Sequence, residues 1–243
     1  MSDVVWHDVE CGRYRQDLGL WLALADEFAP DAGAILDVGA GTGRVSLPLA
    51  RAGHPVTALD LSATLLAELA RRGSGLPVET VCADARAFTL PGRAFALIVV
   101  PMQTIQLLGG SGGRLCFLRR ARAHLTPGGT LALAVAVSGD LEEFQWREGD
   151  TAPLPDITEV DGHAYFSQPT AVRRDGDAFL LERRRDIVDP DGGRSTSTER
   201  IHLDVVTIAA LEQEAARVGL GRVAVRTIEA TDEHIGSGVV IFQ

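Results

Sequence analysis

Residues Ile35-Leu36-Asp37-Val38-Gly39-Ala40-Gly41-Thr42-Gly43-Arg44 run an apolar segment of strand length straight into three glycines, each separated from the next by one residue. Few folds place glycines there, at the mouth of a helical stretch. Without a Cβ the backbone can approach a ligand closely, and a helix start presents N–H groups that have no helical partner. A dinucleotide-binding turn of the form G-x-G-x-x-G would need glycine at position 44, where the chain has Arg44; the spacing here is G-x-G-x-G. Asp37 stands two residues ahead of the first glycine. A carboxylate in that place repels a pyrophosphate and welcomes a cation, so the turn suits a positively charged nucleoside better than a nicotinamide dinucleotide.

The pattern on either side extends this reading. Apolar segments at 34–38, 55–59, 78–82, 94–100 and 130–137 alternate with helical ones near 43–52, 62–72 and 103–124. Strands apolar on both faces, separated by helices, predict a doubly wound, Rossmann-like, mostly parallel α/β sheet of seven strands once 221–229 and 238–242 are added. Residues 1–30 read as helical up to Pro30, with Tyr14, Leu18 and Leu22 in helical spacing. Beyond the fifth strand the rhythm changes. Residues 139–160 predict a loop with a short helix, and 163–173, 177–188 and 195–205 predict three antiparallel strands turning at Asp175-Gly176 and Asp191-Gly192-Gly193. Thr207 to Val218 predicts a helix stopped by Gly219.

Composition closes off several classes. All 23 basic residues are Arg, against 33 acidic ones, for a net charge of −10. With no Lys there is no Walker lysine for phosphates and no amine for Schiff-base chemistry. The acidic balance argues against a nucleic-acid partner. No apolar run reaches the roughly 18 to 20 residues of a membrane helix, and the first dozen residues do not read as a signal peptide, so a cytoplasmic location away from membranes is expected. Cys11, Cys82 and Cys116 form neither a disulfide framework nor a metal-ligand pattern, and no metal site is expected.

Two further carboxylates complete a constellation. Asp60, in Ala58-Leu59-Asp60-Leu61-Ser62, follows the glycines at the distance where an acid accepts from ribose hydroxyls in doubly wound folds. Asp84, in Cys82-Ala83-Asp84-Ala85-Arg86, stands at the next strand end, placed to accept from an exocyclic amine. Taken in order, these pieces make the sequence resemble the class I S-adenosylmethionine-dependent methyltransferases, closely over residues 1–137 and loosely over the last strands. The resemblance implies S-adenosylmethionine as cofactor, with S-adenosylhomocysteine as product. It also implies that Gly39, Ala40, Gly41 and Gly43 wrap the methionine part while Asp37 meets that end through its amine or a water. By the same resemblance Asp60 binds the ribose, Leu61 packs on the adenine, Asp84 with Ala85 reads the adenine edge, and Pro101 lies at the junction facing the sulfonium. Leu125 to Leu131 matches the family's turn before the fifth strand, and Ala96 stands where the family usually has Asp.

Methyl transfer from a sulfonium releases a neutral thioether, so no acid is needed for departure and alignment outweighs a base. The acceptor side is therefore weakly encoded. The candidates are Glu10 and Tyr14, four apart on one face of the N-terminal helix, and Gln103, which shares a helical face with Gln106 after the fourth strand. In the β insertion, His163, Tyr165, Gln168 and Arg183-Arg184-Arg185 stand out. Arg183 and Arg185 alternate onto one face and are expected to pair with acids such as Glu199, and His163 and His202 to be surface histidines. Three parts are expected: an N-terminal helical lid (1–30), a cofactor-binding core (31–138 with 207–243), and a β insertion (139–206) serving as acceptor lid or as the surface of a homodimer. The leading function is methylation of a small-molecule acceptor in bacterial secondary metabolism. A peptide or protein acceptor, or a domain that holds the cofactor for a reaction other than methyl transfer, stand as alternatives.

Overall fold

The computed structural model describes residues 2–136, 143–147, 153–231 and 235–243, and the chain divides into two compact units. The larger comprises Arg15–Asp140 and Val206–Gln243. Its seven-stranded sheet has the order β11-β12-β5-β4-β1-β2-β3. These are β1 (Ile35–Val38), β2 (Val56–Asp60), β3 (Val78–Cys82), β4 (Phe95–Val100), β5 (Leu125–Ala136), β11 (Arg222–Ile228) and β12 (Ser237–Phe242). The first five run parallel, and β12 is antiparallel to both β5 and β11. This is the expected mostly parallel, Rossmann-like seven-stranded sheet.

Its helices are α2 (Leu18–Phe28), α3 (Ser46–Arg51), α4 (Ala63–Arg72), α5 (Gly110–His124) and α6 (Ile208–Ala216). Side chains alternate along each strand, so the sheet needs cover on both faces. On one, Leu36, Val38, Ile98, Val100, Leu131 and Leu133 cluster with Phe117 of α5 and Leu211 of α6. On the other, Ala58, in register with Asp37, packs with Leu66 and Leu69 of α4. Ser62 caps α4 by accepting from Leu65 N–H, and Thr207 caps α6 by accepting from Ala210 N–H. The sheet order reverses direction between β1 and β4. In open sheets of this kind a ligand crevice lies outside the carboxyl ends at such a point.

The smaller unit comprises Met1–Tyr14 and Leu141–Val205. Here α1 (Ser2–Glu10) lies against a five-stranded antiparallel sheet of β6 (Phe144–Gln145), β7 (Asp156–Val160), β8 (His163–Asp175), β9 (Ala178–Val188) and β10 (Arg194–Asp204). The hairpins turn where expected, with Gly176 at φ 59° and Gly192 at φ 88°.

Several boundaries differ from the sequence reading. The N-terminal helix is two helices in two different units, because the chain leaves helical geometry after Glu10. Gly12 allows the turn, since a Cβ there would sit 2.7 Å from the Asp8 carbonyl oxygen. Helix 103–124 is likewise broken into a 3₁₀ turn at Thr104–Leu107 and α5, with Gly109 and Gly110 both at φ 79°. The described parts of 139–160 hold β6 and β7 rather than a loop and short helix, because their backbones find partners along β8. Residues 139–142 and 148–152 of that stretch, and Val137 at the end of the expected fifth strand, lie outside the described residues.

Candidate functional site

Within the larger unit the candidate site gathers at the carboxyl ends of β1 to β4. Asp37, on β1, is 1% exposed. Ser46 donates to its Oδ2 at 2.6 Å, while Oδ1 is buried with no hydrogen-bond partner among the described residues. Burial pushes the carboxyl up to about 6; the Ser46 hydrogen bond and the positive charge of Arg44 act against that rise, and Asp60 adds to it. A buried carboxylate oxygen left without a donor is costly unless a ligand supplies one.

Much of the glycine turn's backbone is bonded within the fold. Gly39 and Ala40 N–H both donate to Leu59 carbonyl, Gly41 N–H donates to Asp60 Oδ2 at 2.8 Å, and Gly43 N–H donates to Ala40 carbonyl. The turn is therefore closed onto the end of β2 instead of offering a row of unpaired N–H groups. Glycine is required by packing and by backbone angle. At Gly39 (φ 77°) a Cβ would lie 2.6 Å from Thr104 Oγ1, and at Gly43 (φ 97°) it would lie 2.8 Å from Leu47 Cγ.

Asp60 is half-buried and already accepts twice from backbone, from Gly41 N–H and, at 2.8 Å, from Ser62 N–H. A carboxylate has about four lone-pair positions, so room remains for hydroxyl donors. Leu61 beside it is 72% exposed, an apolar side chain laid open at the strand end. Asp84 is held by its neighbour: Arg86 donates to it from the backbone (2.8 Å), from Nε (3.0 Å) and from Nη2 (2.7 Å). That grip keeps the Asp84 carboxyl below the usual carboxylate range. Ala85 follows it, half-buried, and Pro101 is buried at the end of β4, where its carbonyl accepts from Thr104 Oγ1 at 2.9 Å. Next to Pro101, Met102 holds the left-handed conformation (φ 54°), a strained arrangement of the kind that gathers at functional sites.

Gln103 is half-buried at the start of the 3₁₀ turn. Gln106 is not on a solvated face with it; it is 1% exposed, and its Oε1 accepts from Ala136 N–H at 2.9 Å, tying the turn to the end of β5. Asp17, which the spacing did not single out, also belongs here with its partner Arg44. Asp17 is fully buried and takes both Arg44 Nη1 (2.5 Å) and Nη2 (2.9 Å), with Trp21 Nε1 donating at 2.8 Å. Twenty-seven positions separate Asp17 from Arg44, and no local periodicity links them.

In the smaller unit Glu10 is the centre of a polar cluster. Arg185 donates to it from Nε (2.8 Å) and Nη2 (2.6 Å), and Ser167 Oγ donates at 2.6 Å. Burial raises the Glu10 carboxyl, but the Arg185 and Ser167 hydrogen bonds prevail and hold it below its ordinary value. Arg185 also pairs with Glu199, as the strand alternation predicts, and stacks 5.3 Å from the Trp6 ring centroid; Arg183 pairs with Asp156. Tyr165 meets Trp6 edge-on with ring centroids 5.2 Å apart. Gln168 bonds Pro153 carbonyl and Arg184, while His163 and His202 stand near Asp189 and Asp175. Tyr14 is buried, but it follows the end of α1, so it does not share a helical face with Glu10.

Among the described residues no group of three or more His, Cys, Asp or Glu is placed to hold a metal, and no helix is long and apolar enough to cross a membrane.

The comparisons agree with this geometry. Residues 35–129 match the family described as a methyltransferase domain. A Streptomyces fradiae protein, dTDP-3-amino-3,6-dideoxy-alpha-D-glucopyranose N,N-dimethyltransferase, is 26% identical over 208 residues, 85% of this chain and 77% of that protein. The cypemycin N-terminal methyltransferase of a Streptomyces species is 34% identical over 120 residues, about half of each chain (49% and 47%). Among solved structures, the sugar N-methyltransferase KedS8 from Streptoalloteichus superposes with a TM-score of 0.78 at 20% identity, covering 99% of this chain and 92% of that one. The chain thus carries a methyltransferase domain at residues 35–129, and a solved structure of the same fold, the amino pentose methyltransferase CalS10 from Micromonospora echinaspora (TM-score 0.70, 24% identity, covering 98% of this chain and 96% of that one), has S-adenosylmethionine bound. The site of the present chain suits that cofactor: an unpartnered buried carboxylate oxygen for a cationic end, an acid with acceptor capacity left at the next strand end, and an exposed leucine beside it for a flat apolar base.

Proposed function

We propose that this methyltransferase N-methylates an amino group on a small, sugar-type acceptor in bacterial secondary metabolism. One observation supports the acceptor class above others. The likeness to the Streptomyces fradiae aminosugar enzyme extends over 85% of this chain, more than the Rossmann-like unit alone can supply. The likeness to the cypemycin enzyme is higher in identity but spans only 49% of the chain, which makes a peptide N-terminus the second reading.

When bound, S-adenosylmethionine supplies an electrophilic methyl carbon and a neutral leaving group. The residues of the chain then have to bind, orient and keep water away. Asp37 and Asp60 are assigned to the cofactor's cationic end and ribose, and Leu61, Asp84 and Ala85 to its base. Gly39, Ala40, Gly41, Gly43 and Pro101 shape the floor. Alignment of an amine with a methyl carbon can supply up to about 7 to 11 kcal/mol, so a base need not carry the rate. Tyr14 and Gln103 are proposed for the acceptor side. Glu10 is proposed to act through Arg185 and Ser167 instead of taking a proton, since a carboxylate held below its ordinary value is a poor base.

The test is direct. The purified chain is incubated with S-adenosylmethionine and either a nucleotide-linked amino sugar or a peptide with a free N-terminus, and products are weighed by mass spectrometry. One or two methyl groups gained by the sugar are expected. Methylation of the peptide alone would favour the second reading, and cofactor consumption with neither acceptor methylated would overturn both.

A further inference from the structure

Asp37 and Arg44 form an unusual pair of neighbours. Arg44 lies close enough for its charge to favour the ionised Asp37 carboxylate, yet Asp37 Oδ1 has no donor among the described residues. The guanidinium is turned to Asp17, which takes two of its N–H groups in a side-by-side fork. Asp17 is in turn fixed by Trp21 Nε1, four residues along α2. It occupies the N-cap position of that helix, but its side chain makes no capping bond. A residue that commonly serves as a cap has thus been given wholly to Arg44 and Trp21. All of these groups are nearly excluded from solvent: Asp17 at 0%, Asp37 at 1% and the Arg44 side chain at 6% exposure. In so dry a setting an uncommitted guanidinium would be drawn strongly to the nearest carboxylate.

We infer that Asp17 is a positioning residue for the cofactor: by binding Arg44 with both oxygens it diverts that guanidinium from Asp37, so that Asp37 Oδ1 stays open to the ammonium of the methionine part. Arg44 does not then compete with the ligand for Asp37. Ser46, on the other Asp37 oxygen, fixes which oxygen is left open. The inference rests on the assignment of Asp37 to the cationic end of the cofactor.

Two ligands separate this role from a merely structural one. Adenosylhomocysteine carries the ammonium, and methylthioadenosine lacks it while keeping the adenosine. In Asp17→Asn the fork to Arg44 is lost, and calorimetry is expected to show adenosylhomocysteine binding weakened about tenfold or more with methylthioadenosine changed less than about twofold. Adding Arg44→Gln to Asp17→Asn removes the competing cation and is expected to restore adenosylhomocysteine affinity to within about threefold of the native chain. Thermal unfolding checks that each variant is folded. If Asp17→Asn is not, Arg44→Lys carries the test, because a point charge cannot span both Asp17 oxygens and should show the same ligand-selective loss. Equal losses for both ligands, no loss, or no recovery in the double variant would overturn the inference. Asp37→Asn is the control. A ligand-selective loss there with none at Asp17 defeats only this inference, whereas no selective loss at Asp37 defeats the assignment beneath it.

Discussion

At the scale of single residues, Asp60 holds the glycine turn as well as the place proposed for ribose. Asp60→Ala removes the acceptor for Gly41 and Ser62 N–H as well as for the ligand hydroxyls. Each lost charge-assisted bond costs about 1.5 to 3 kcal/mol, so calorimetry is expected to find no measurable adenosylhomocysteine binding and thermal unfolding a lower midpoint. An unchanged dissociation constant would sink the ribose assignment. Asp37 sets a pH dependence. Its carboxyl is raised from an ordinary 3.8 to about 6, facing Ser46, Arg44 and Asp60. A carboxyl raised on folding favours the folded chain while protonated. Its contribution to the unliganded protein's stability is full below about pH 4 and is lost as pH rises through about 6. Binding of an ammonium has the opposite sign, because it needs the ionised form. Adenosylhomocysteine affinity should fall by up to about tenfold per pH unit below 6, level off above 7, and lose this slope in Asp37→Asn. A flat profile in the native chain would show that Asp37 does not meet the cationic end.

At the scale of elements, α1 is held to its sheet by charge as well as by aromatic contact. Glu10 and Arg185 are 175 residues apart, and both side chains are largely buried, at 10% and 17% exposure. Removing one member of such a pair costs about 3 to 5 kcal/mol, because the other is left buried and uncompensated. Glu10→Gln is therefore expected to loosen α1, visible as faster amide exchange over residues 2–10. Turnover should fall at least about tenfold, with adenosylhomocysteine affinity little changed. Arg185→Met distinguishes the two roles open to Glu10. If the tether is what matters, Arg185→Met reproduces both effects and the double variant adds little to either. Were Glu10 a proton acceptor, Arg185→Met would instead leave it freer to take a proton, and the two single variants would behave differently. The 3₁₀ turn after β4 is a second such element, anchored through Gln106 to the backbone of Ala136.

At the scale of the whole molecule, a reaction whose leaving group is a neutral thioether needs no Lewis acid for departure, and alignment carries the rate, which leads to a simple expectation. Prior treatment with a chelator should leave turnover unchanged, and magnesium should not raise it; loss with chelator and recovery with magnesium would contradict this. How much of the molecule could be read in advance follows from the range of each interaction. The doubly wound sheet was legible, and with it the positions of the carboxylates proposed for the cofactor, which lie at the ends of successive strands. A strand that must be apolar on both faces announces itself, and Asp37, Asp60 and Asp84 each sit within two residues of where one stops. Helix breaks at Gly12 and Gly109-Gly110 were not legible, because glycine inside a helical pattern is tolerated until a close backbone approach, as at Gly12, or a positive φ, as at Gly109 and Gly110, decides against it. Strands β6 and β7 escaped notice for a related reason: their residues lack apolar alternation and are ordered by pairing with β8. The chain's own spacing determined the doubly wound sheet and the place of the glycine turn within it, and its composition determined the exclusion of lysine chemistry. Only the tertiary structure decided that Asp17 takes Arg44, that Glu10 takes Arg185 and that Gln106 is a buried tether. Those partners meet across 27, 175 and 30 residues, and sequence periodicity carries no information beyond the few residues of one helical turn or strand pair.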